Sequence, residues 1–325
     1  MAVGWGIIGC GDVTEVKSGP GFQKALGSEL VAVMRRDGAK ARDYAHRHGV
    51  AHWYDSADNL INDPFVDAVY IATPPSSHSD LALRVAAAGK PCLVEKPMAR
   101  NHAECLEMIA AFKRAGTPLW VAYYRRALPR FLKVLECLRD GTIGQLTSVH
   151  VGVTTPLLTG DDAKMWRVDP AVAGAGLLFD LGSHVFDLLD FLIGPITRIS
   201  PVAVNTGGTY PAEDVVTAAF EFSTGAVGSA VFNFNASSKT DRITFLGSQG
   251  EIETPIFSDT DVVVRAGGGS RAYDIRNPAH VHQPLIQTIV DELQGHGSCP
   301  STAQSAARAS WVLDECVRDY YQGSI

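Results

Sequence analysis

A chain of 325 residues is long for a single hydrophobic core, so two domains are expected. It is 46% hydrophobic and 19% charged, with a net charge of −7, a pI near 5.8 and a mean hydropathy near zero, which is a globular composition. No basic stripe with interleaved aromatics offers a nucleic-acid surface.

No apolar run approaches the roughly 20 residues needed to cross a bilayer, so no membrane partner is expected. The start "MAVGWGIIGCG" has no basic n-region and runs straight into a glycine-rich turn, unlike a signal peptide. Cys10, Cys92, Cys105, Cys137, Cys299 and Cys316 are scattered without a C-x-x-C pair. They fit neither a zinc site nor a disulfide framework and point to free thiols in a reducing cytoplasm.

In chain order, short apolar runs first alternate with helical patterns. "VGWGIIG" precedes a helix through Gln23, and "ELVAVM" precedes "AKARDYAHRHG". "VDAVYIAT" leads into "HSDLALRVAAAG", "PCLVE" into "HAECLEMIAAFKRAG", and "PLWVAYY" closes the series. This alternation predicts β-α-β units and a parallel sheet over residues 1–125. From about residue 146 the rhythm changes, so that 126–325 form a second domain. "LTSVHVGVTT", "VVTAAFEF", "GAVGSAVFNFNA", "DRITFLG" and "DVVVRA" read as strands of a largely antiparallel sheet, with "AGGGS" as a hairpin turn. A helix, "GLLFDLGSHVFDLLDFLIG", falls between the first two of these strands. Two more, "PLIQTIVDELQGHG" and "TAQSAARASWVLDECVRDYY", close the chain.

The first strand-to-helix junction, "GIIGCGDVT", carries Gly9 and Gly11. Glycines there permit a tight turn, and the amides around Asp12 and Val13 at the helix start can approach a pyrophosphate. Thr14 occupies the third fingerprint position, where glycine or alanine is usual; a plain strand-to-helix turn is the alternative. An acid about 20 residues further on would hold the ribose 2′-hydroxyl of NAD. Here the second strand runs into Arg35 and Arg36, with Asp37 only afterwards. Two guanidiniums suit a 2′-phosphate and favour NADP(H). Otherwise they are solvated surface residues, and Asp37 takes the ribose of NAD.

Later strand ends carry further candidates. "EKP", Glu95 to Pro97, ends the "PCLV" strand, where open α/β sheets bind ligands, and Lys96 would face the nicotinamide. Asp180 and His184 stand four residues apart, on one face of an otherwise apolar helix. Asp187 and Asp190 follow and are taken as structural. Tyr124, with Arg125 and Arg126, follows the last parallel strand and faces substrate or a structural partner. Trp166 and Arg167, in "KMWRVDP", suit a sugar ring or a phosphate, or pack the domain boundary. His280 and His282 have metal-like spacing, but no acid or cysteine stands near them in the sequence, so no metal is expected.

Taken in order, "GIIGCGDVT", "IATPPSSH", "EKP" and "AGAGLLFDLGSHVFDLL" resemble the glucose–fructose oxidoreductase, inositol dehydrogenase and rhizopine-catabolism (Gfo/Idh/MocA) family over nearly the whole chain. The resemblance implies an α/β protein: an N-terminal Rossmann domain with a doubly wound parallel sheet, then an α/β domain with a large, mostly antiparallel open sheet. That sheet would bind substrate and pair a homodimer or homotetramer. The resemblance also implies that Thr73, Pro74, His78, Glu95 and Lys96 contact the cofactor, and that Lys96, Asp180 and His184 are catalytic.

Removing hydride from a secondary alcohol also requires removing the hydroxyl proton. An imidazole titrates near neutrality and suits that transfer. His184 is therefore assigned the proton, Lys96 the polarisation of the substrate oxygen, and Asp180 either a substrate hydroxyl or the orientation of the other two. The expected substrate is a sugar, a cyclic polyol or a related carbonyl compound. An NAD-retaining glycoside hydrolase and a non-catalytic NADP(H) sensor are the alternatives.

Overall fold

The computed structural model describes residues 2–322. The chain forms two compact units. The first holds the residues up to Ala127 together with Pro278–Ala307; the second holds Leu128–Asn277 and the residues from Arg308 on.

Six strands form the sheet of the first unit: β1 (Val3–Ile8), β2 (Ser28–Met34), β3 (His52–Tyr54), β4 (Ala68–Ile71), β5 (Cys92–Val94) and β6 (Leu119–Val121). All pairings are parallel, and the order β3-β2-β1-β4-β5-β6 is that of a doubly wound dinucleotide fold. The period of two along β1 turns Trp5 and Ile7 to one face and Ile8 to the other. Each face is buried under its own apolar cluster, which is why these strands read as continuous apolar runs.

The segment 278–307 departs from a single second domain over 126–325. Helix Gln283–Leu293 sends Leu285, Ile286, Ile289 and Val290 into the cluster around Trp5. Ala303, Ala306 and Ala307 enter the cluster around Ile8. An amphipathic helix must bury its stripe, and this one does so on the Rossmann sheet. The helix expected through Gln23 is two helices, Asp12–Val16 and Gly19–Lys24. Pro20, with no N–H to give, fits the first turn of the second.

The second unit is built on an eight-stranded sheet. Its strands are β7 (Leu146–Thr154), β8 (Ile196–Val204), β9 (Val215–Phe222), β10 (Val227–Asn233), β11 (Thr240–Gly247), β12 (Gly250–Thr254), β13 (Val262–Ala266) and β14 (Gly269–Tyr273). The order is β14-β13-β12-β11-β7-β10-β9-β8; β7 and β10 run parallel, and the other neighbours antiparallel. Gly267 and Gly268, with φ of 59° and 77°, join β13 to β14 as a two-residue hairpin that demands positive φ at both positions.

Between β7 and β8 the chain makes a π-helical turn, Leu178–Gly182, and continues as the α-helix Ser183–Leu192. Phe186 packs on Phe220 and Phe232 of the sheet, with ring centroids 6.1 and 5.7 Å apart. Within Pro170–Leu192 an 18-residue window with a mean hydropathy of 1.4 is apolar enough for a membrane span, which corrects the expectation about apolar runs. It is 78% buried in the protein and serves as a core segment.

Candidate active site

The glycine turn closes β1. Gly9 has φ +93°, and a Cβ there would lie 2.7 Å from Thr73 Cγ2, so no other residue fits without displacing the next loop. The amides of Gly9 and Cys10 both donate to the Met34 carbonyl, at 2.8 and 3.1 Å. Thr14 Oγ1 accepts from Gly11 N–H at 2.9 Å and donates back to the Gly11 carbonyl at 2.8 Å. Threonine at the third fingerprint position thus closes the turn through its hydroxyl. The first amides of the helix, those of Asp12 and Val13, have no acceptor in their own helix. A Cβ on Gly11 would meet nothing closer than 3.8 Å, which leaves space for a phosphate against the backbone.

At the end of β2, Arg35 and Arg36 are exposed. Arg35 Nη1 donates to the Cys10 carbonyl at 3.3 Å, which lays its guanidinium against the glycine turn. Asp37 caps the helix Gly38–His48, its Oδ1 accepting from the Ala39 and Lys40 amides at 3.1 and 3.2 Å.

Thr73 is half-buried and accepts from the Ser77 hydroxyl at 2.7 Å; Pro74 beside it is exposed. His78 and Glu95, both expected to touch the cofactor, turn their side chains inward. The His78 ring is fully buried, Nε2 2.7 Å from the Thr73 carbonyl and Nδ1 3.0 Å from the Pro97 carbonyl. Burial holds its pKa below the ordinary histidine value, and a neutral ring donates to one carbonyl at a time. Its part is to join the Thr73 loop to the Pro97 loop.

The Glu95 side chain, 10% exposed, accepts from Tyr70 OH and His282 Nε2 at Oε1, the latter at 3.1 Å, and from the Lys96 amide at Oε2, 3.1 Å. Burial alone would raise its pKa; the His282 hydrogen bond and charge, then Tyr70 and the Lys96 ammonium, reverse this and hold it below the ordinary carboxyl value. Lys96 itself is half-buried, and the Lys96–Pro97 peptide is cis. His282, which has no acid near it in sequence, thus has one in space. Tyr124 is half-buried, its ring 4.4 Å from that of His282 and 4.9 Å from the Arg125 guanidinium. Arg126 is buried and donates to the Pro300 carbonyl at 3.0 Å.

The second unit carries the other candidates. Asp180 lies in the π-turn and His184 one turn later, at the start of the α-helix. The turn departs from the regular α-helix expected; such insertions recur at functional sites. Arg167 Nε pairs with Asp180 Oδ2 at 3.3 Å, and its guanidinium lies over the Trp166 ring at 4.6 Å. The structure therefore joins Arg167, expected from the loop, to Asp180, expected from the helix. Phe257, not singled out by sequence, stands edge-on to the His184 ring at 6.2 Å. Its loop is tied to Asp241, which accepts from the amides of Ile256, Phe257 and Ser258. Asp190 forms a bidentate pair with Arg308 at 2.7 and 2.8 Å, and Asp187 is buried.

A doubly wound sheet whose first turn is open to a phosphate, followed by a second α/β unit with a mostly antiparallel sheet, is the architecture of a two-domain, dinucleotide-binding protein. The comparisons make this specific. Residues 3–123 match the oxidoreductase family described as having an NAD-binding Rossmann fold, and residues 131–253 match the GFO/IDH/MocA C-terminal domain.

The chain belongs to the Gfo/Idh/MocA family of oxidoreductases. It is 38% identical to "Oxidoreductase P35" of Formosa agariphila over 96% of this chain and 97% of that one. It is 25% identical to a 1,5-anhydro-D-fructose reductase of Ensifer adhaerens over 95% and 92% of the two chains. Among solved structures it resembles the aldose-aldose oxidoreductase of Caulobacter crescentus complexed with glycerol. That match has a TM-score of 0.88 and 26% identity, and covers 99% of this chain and 98% of that one.

Proposed function

We propose that this oxidoreductase uses NADP(H) and passes hydride between the nicotinamide and a carbon of a sugar, a cyclic polyol or a related carbonyl compound. The observation that carries the reading is the distribution of charge at the end of β2. Arg35 lies against the glycine turn, while the Asp37 carboxylate is engaged by two amides of its own helix. A 2′-phosphate would meet guanidinium groups there, whereas a ribose 2′-hydroxyl would find a carboxylate whose Oδ1 already accepts from two helix amides and whose Oδ2 lies 3.7 Å from Lys40 Nζ. Gly9, Gly11, and the amides of Asp12 and Val13 would hold the pyrophosphate, and Thr73 and Pro74 would pass beside the nicotinamide half.

When bound, the nicotinamide supplies the hydride acceptor or donor. Lys96 donates a hydrogen bond to the substrate oxygen and stabilises its developing negative charge. His184 takes the hydroxyl proton during oxidation and returns it during reduction. Asp180, oriented by Arg167, accepts from a second substrate hydroxyl, and Trp166 and Tyr124 offer rings to the apolar face of a sugar. The substrate class is supported by the names of two relatives, a reductase of 1,5-anhydro-D-fructose and an aldose-aldose oxidoreductase. We further propose a homo-oligomer through the outer face of the large sheet, where Val202, Val204, Val227 and Val231 are exposed. The buried free thiols fit a cytoplasmic location.

The test is turnover on D-glucose, D-xylose, myo-inositol and 1,5-anhydro-D-fructose, each with NAD(H) and NADP(H). The Arg35→Asp protein should lose about 100-fold in NADPH against NADH preference, the scale of one lost charged phosphate contact. An unchanged preference would remove the coenzyme assignment. Cleavage of an added glycoside with retained coenzyme and no net redox change would remove the reaction.

A further inference from the structure

We propose that His282, acting through Glu95, is a positioning residue that fixes the Lys96 loop for turnover; the inference rests on the reading of Lys96 as the group that holds substrate oxygen. The loop is held on both sides of the lysine. Before it, Glu95 N–H donates to the Ile71 carbonyl at 2.8 Å, and its carboxylate receives Tyr70 OH, His282 Nε2 and the Lys96 amide. After it, the Pro97 carbonyl lies 3.0 Å from His78 Nδ1. Every one of these side chains is buried.

His282 comes from far along the chain, 187 residues from Glu95. It stands at the cap of helix Gln283–Leu293, whose apolar stripe is packed into the core around Trp5. The ring is therefore delivered by a rigid element, and it also packs against the Tyr124 ring, tilted by 39° to it. A buried carboxylate is costly unless its oxygens are satisfied, and simple packing would be served as well by leucine. Placing the carboxylate one residue before Lys96, with Tyr70 OH and His282 Nε2 on Oε1 and the Lys96 amide on Oε2, locks the backbone from which the lysine extends. The phosphate-binding turn lies at the end of a different strand, β1. Loss of the His282 donor should therefore reduce turnover and leave coenzyme binding intact.

The experiment uses the full chain and the best substrate of the panel above, reading kcat, KM, the NADPH Kd from fluorescence titration, and thermal melting. Lys96→Met sets the scale, with an expected loss of about 1,000-fold or more in kcat. His282→Leu, apolar and without a donor, should lose about 100-fold in kcat while NADPH Kd stays within about threefold. His282→Gln, whose amide N–H can reach the same oxygen, should recover kcat to within about fivefold, and Tyr70→Phe should lose about tenfold.

The proposal is overturned if His282→Leu keeps its kcat, if the glutamine variant falls as far as the leucine one, or if NADPH Kd rises in step with the loss. Should His282→Leu fail to fold, Tyr70→Phe decides, and an unchanged kcat in that protein overturns the proposal. A Lys96→Met protein that turns over normally removes the reading of Lys96 itself, a separate and recognisable failure.

Discussion

Glu95 in the first unit and Glu213 in the second are both buried carboxyls that hold the backbone near a candidate catalytic residue, and their charge behaves oppositely. Glu95 faces the His282 ring and the Tyr70 hydroxyl, and their pull, with that of the Lys96 ammonium, outweighs burial and keeps it ionised. Glu213 accepts from the Gly176 amide at 3.0 Å and from Tyr321 OH at 2.8 Å. Burial dominates there, and its pKa is pushed up to about 7. At Glu213 the hydrogen bonds fall short of the hydration lost on burial and the Asp214 charge adds to the rise, whereas at Glu95 the contributions of His282, Tyr70 and Lys96 together exceed it. The first arrangement is a charged clamp beside Lys96. The second is a clamp whose charge changes near neutrality, attached four residues before Asp180.

The largest effect should come from breaking the charged clamp. His282→Leu removes the ring from a carboxyl with nowhere to go and should cost about 3–5 kcal/mol, as do other broken buried pairs. Adding Glu95→Gln removes the stranded charge and should restore most of that loss. Urea unfolding of both proteins at about pH 8 measures it. If the double variant is no more stable than the single one, Glu95 is not held as an ion and the contrast with Glu213 disappears.

Glu213 tests the other side through pH. Its pKa is raised from 4.5 unfolded to about 7 folded, so the native state keeps a proton that the unfolded chain releases. Stability contributed by this group is therefore greatest in acid and falls as pH rises through that window, by up to about 3 kcal/mol. Glu213→Gln keeps an acceptor for the Gly176 amide and carries no titrating proton. Its stability relative to the parent should rise by about 2–3 kcal/mol between about pH 5 and about pH 8. A difference that is flat across that range would mean that Glu213 titrates normally in place.

The sheet classes were legible because buried parallel strands and half-buried antiparallel strands write different apolar patterns. β3 was not, since His52 to Tyr54 lie at the sheet edge, only partly buried, and present no apolar run, whereas the equally short β5 and β6 are fully buried. The return of 278–307 to the first unit was also invisible: an amphipathic stripe announces that it needs a partner surface without naming which. At the site, Gly9 was legible because positive φ selects glycine. The parts of His78 and Glu95 were not. Sequence marks a polar residue beside a motif, and only packing shows that it faces inward. Their contacts cross long separations, as with Glu95 and His282, and no local spacing encodes them.

The smallest effect concerns a third carboxylate, Asp37, which lies half exposed at the surface and satisfies two helix amides. In water the charge needs no cationic partner, so its worth should be that of a helix cap alone. Asp37→Ala should cost about 1 kcal/mol, while Asp37→Ser, which retains an oxygen acceptor, should cost a few tenths at most. Neither should change the NADPH to NADH preference by more than about twofold if the carboxylate serves the helix and not a ribose. Thermal melts give the first comparison and turnover with the two coenzymes gives the second. If Asp37→Ser instead moved the preference strongly toward NADPH, the carboxylate would be a ribose ligand as well as a cap. Arg35 would then lose its claim to a 2′-phosphate.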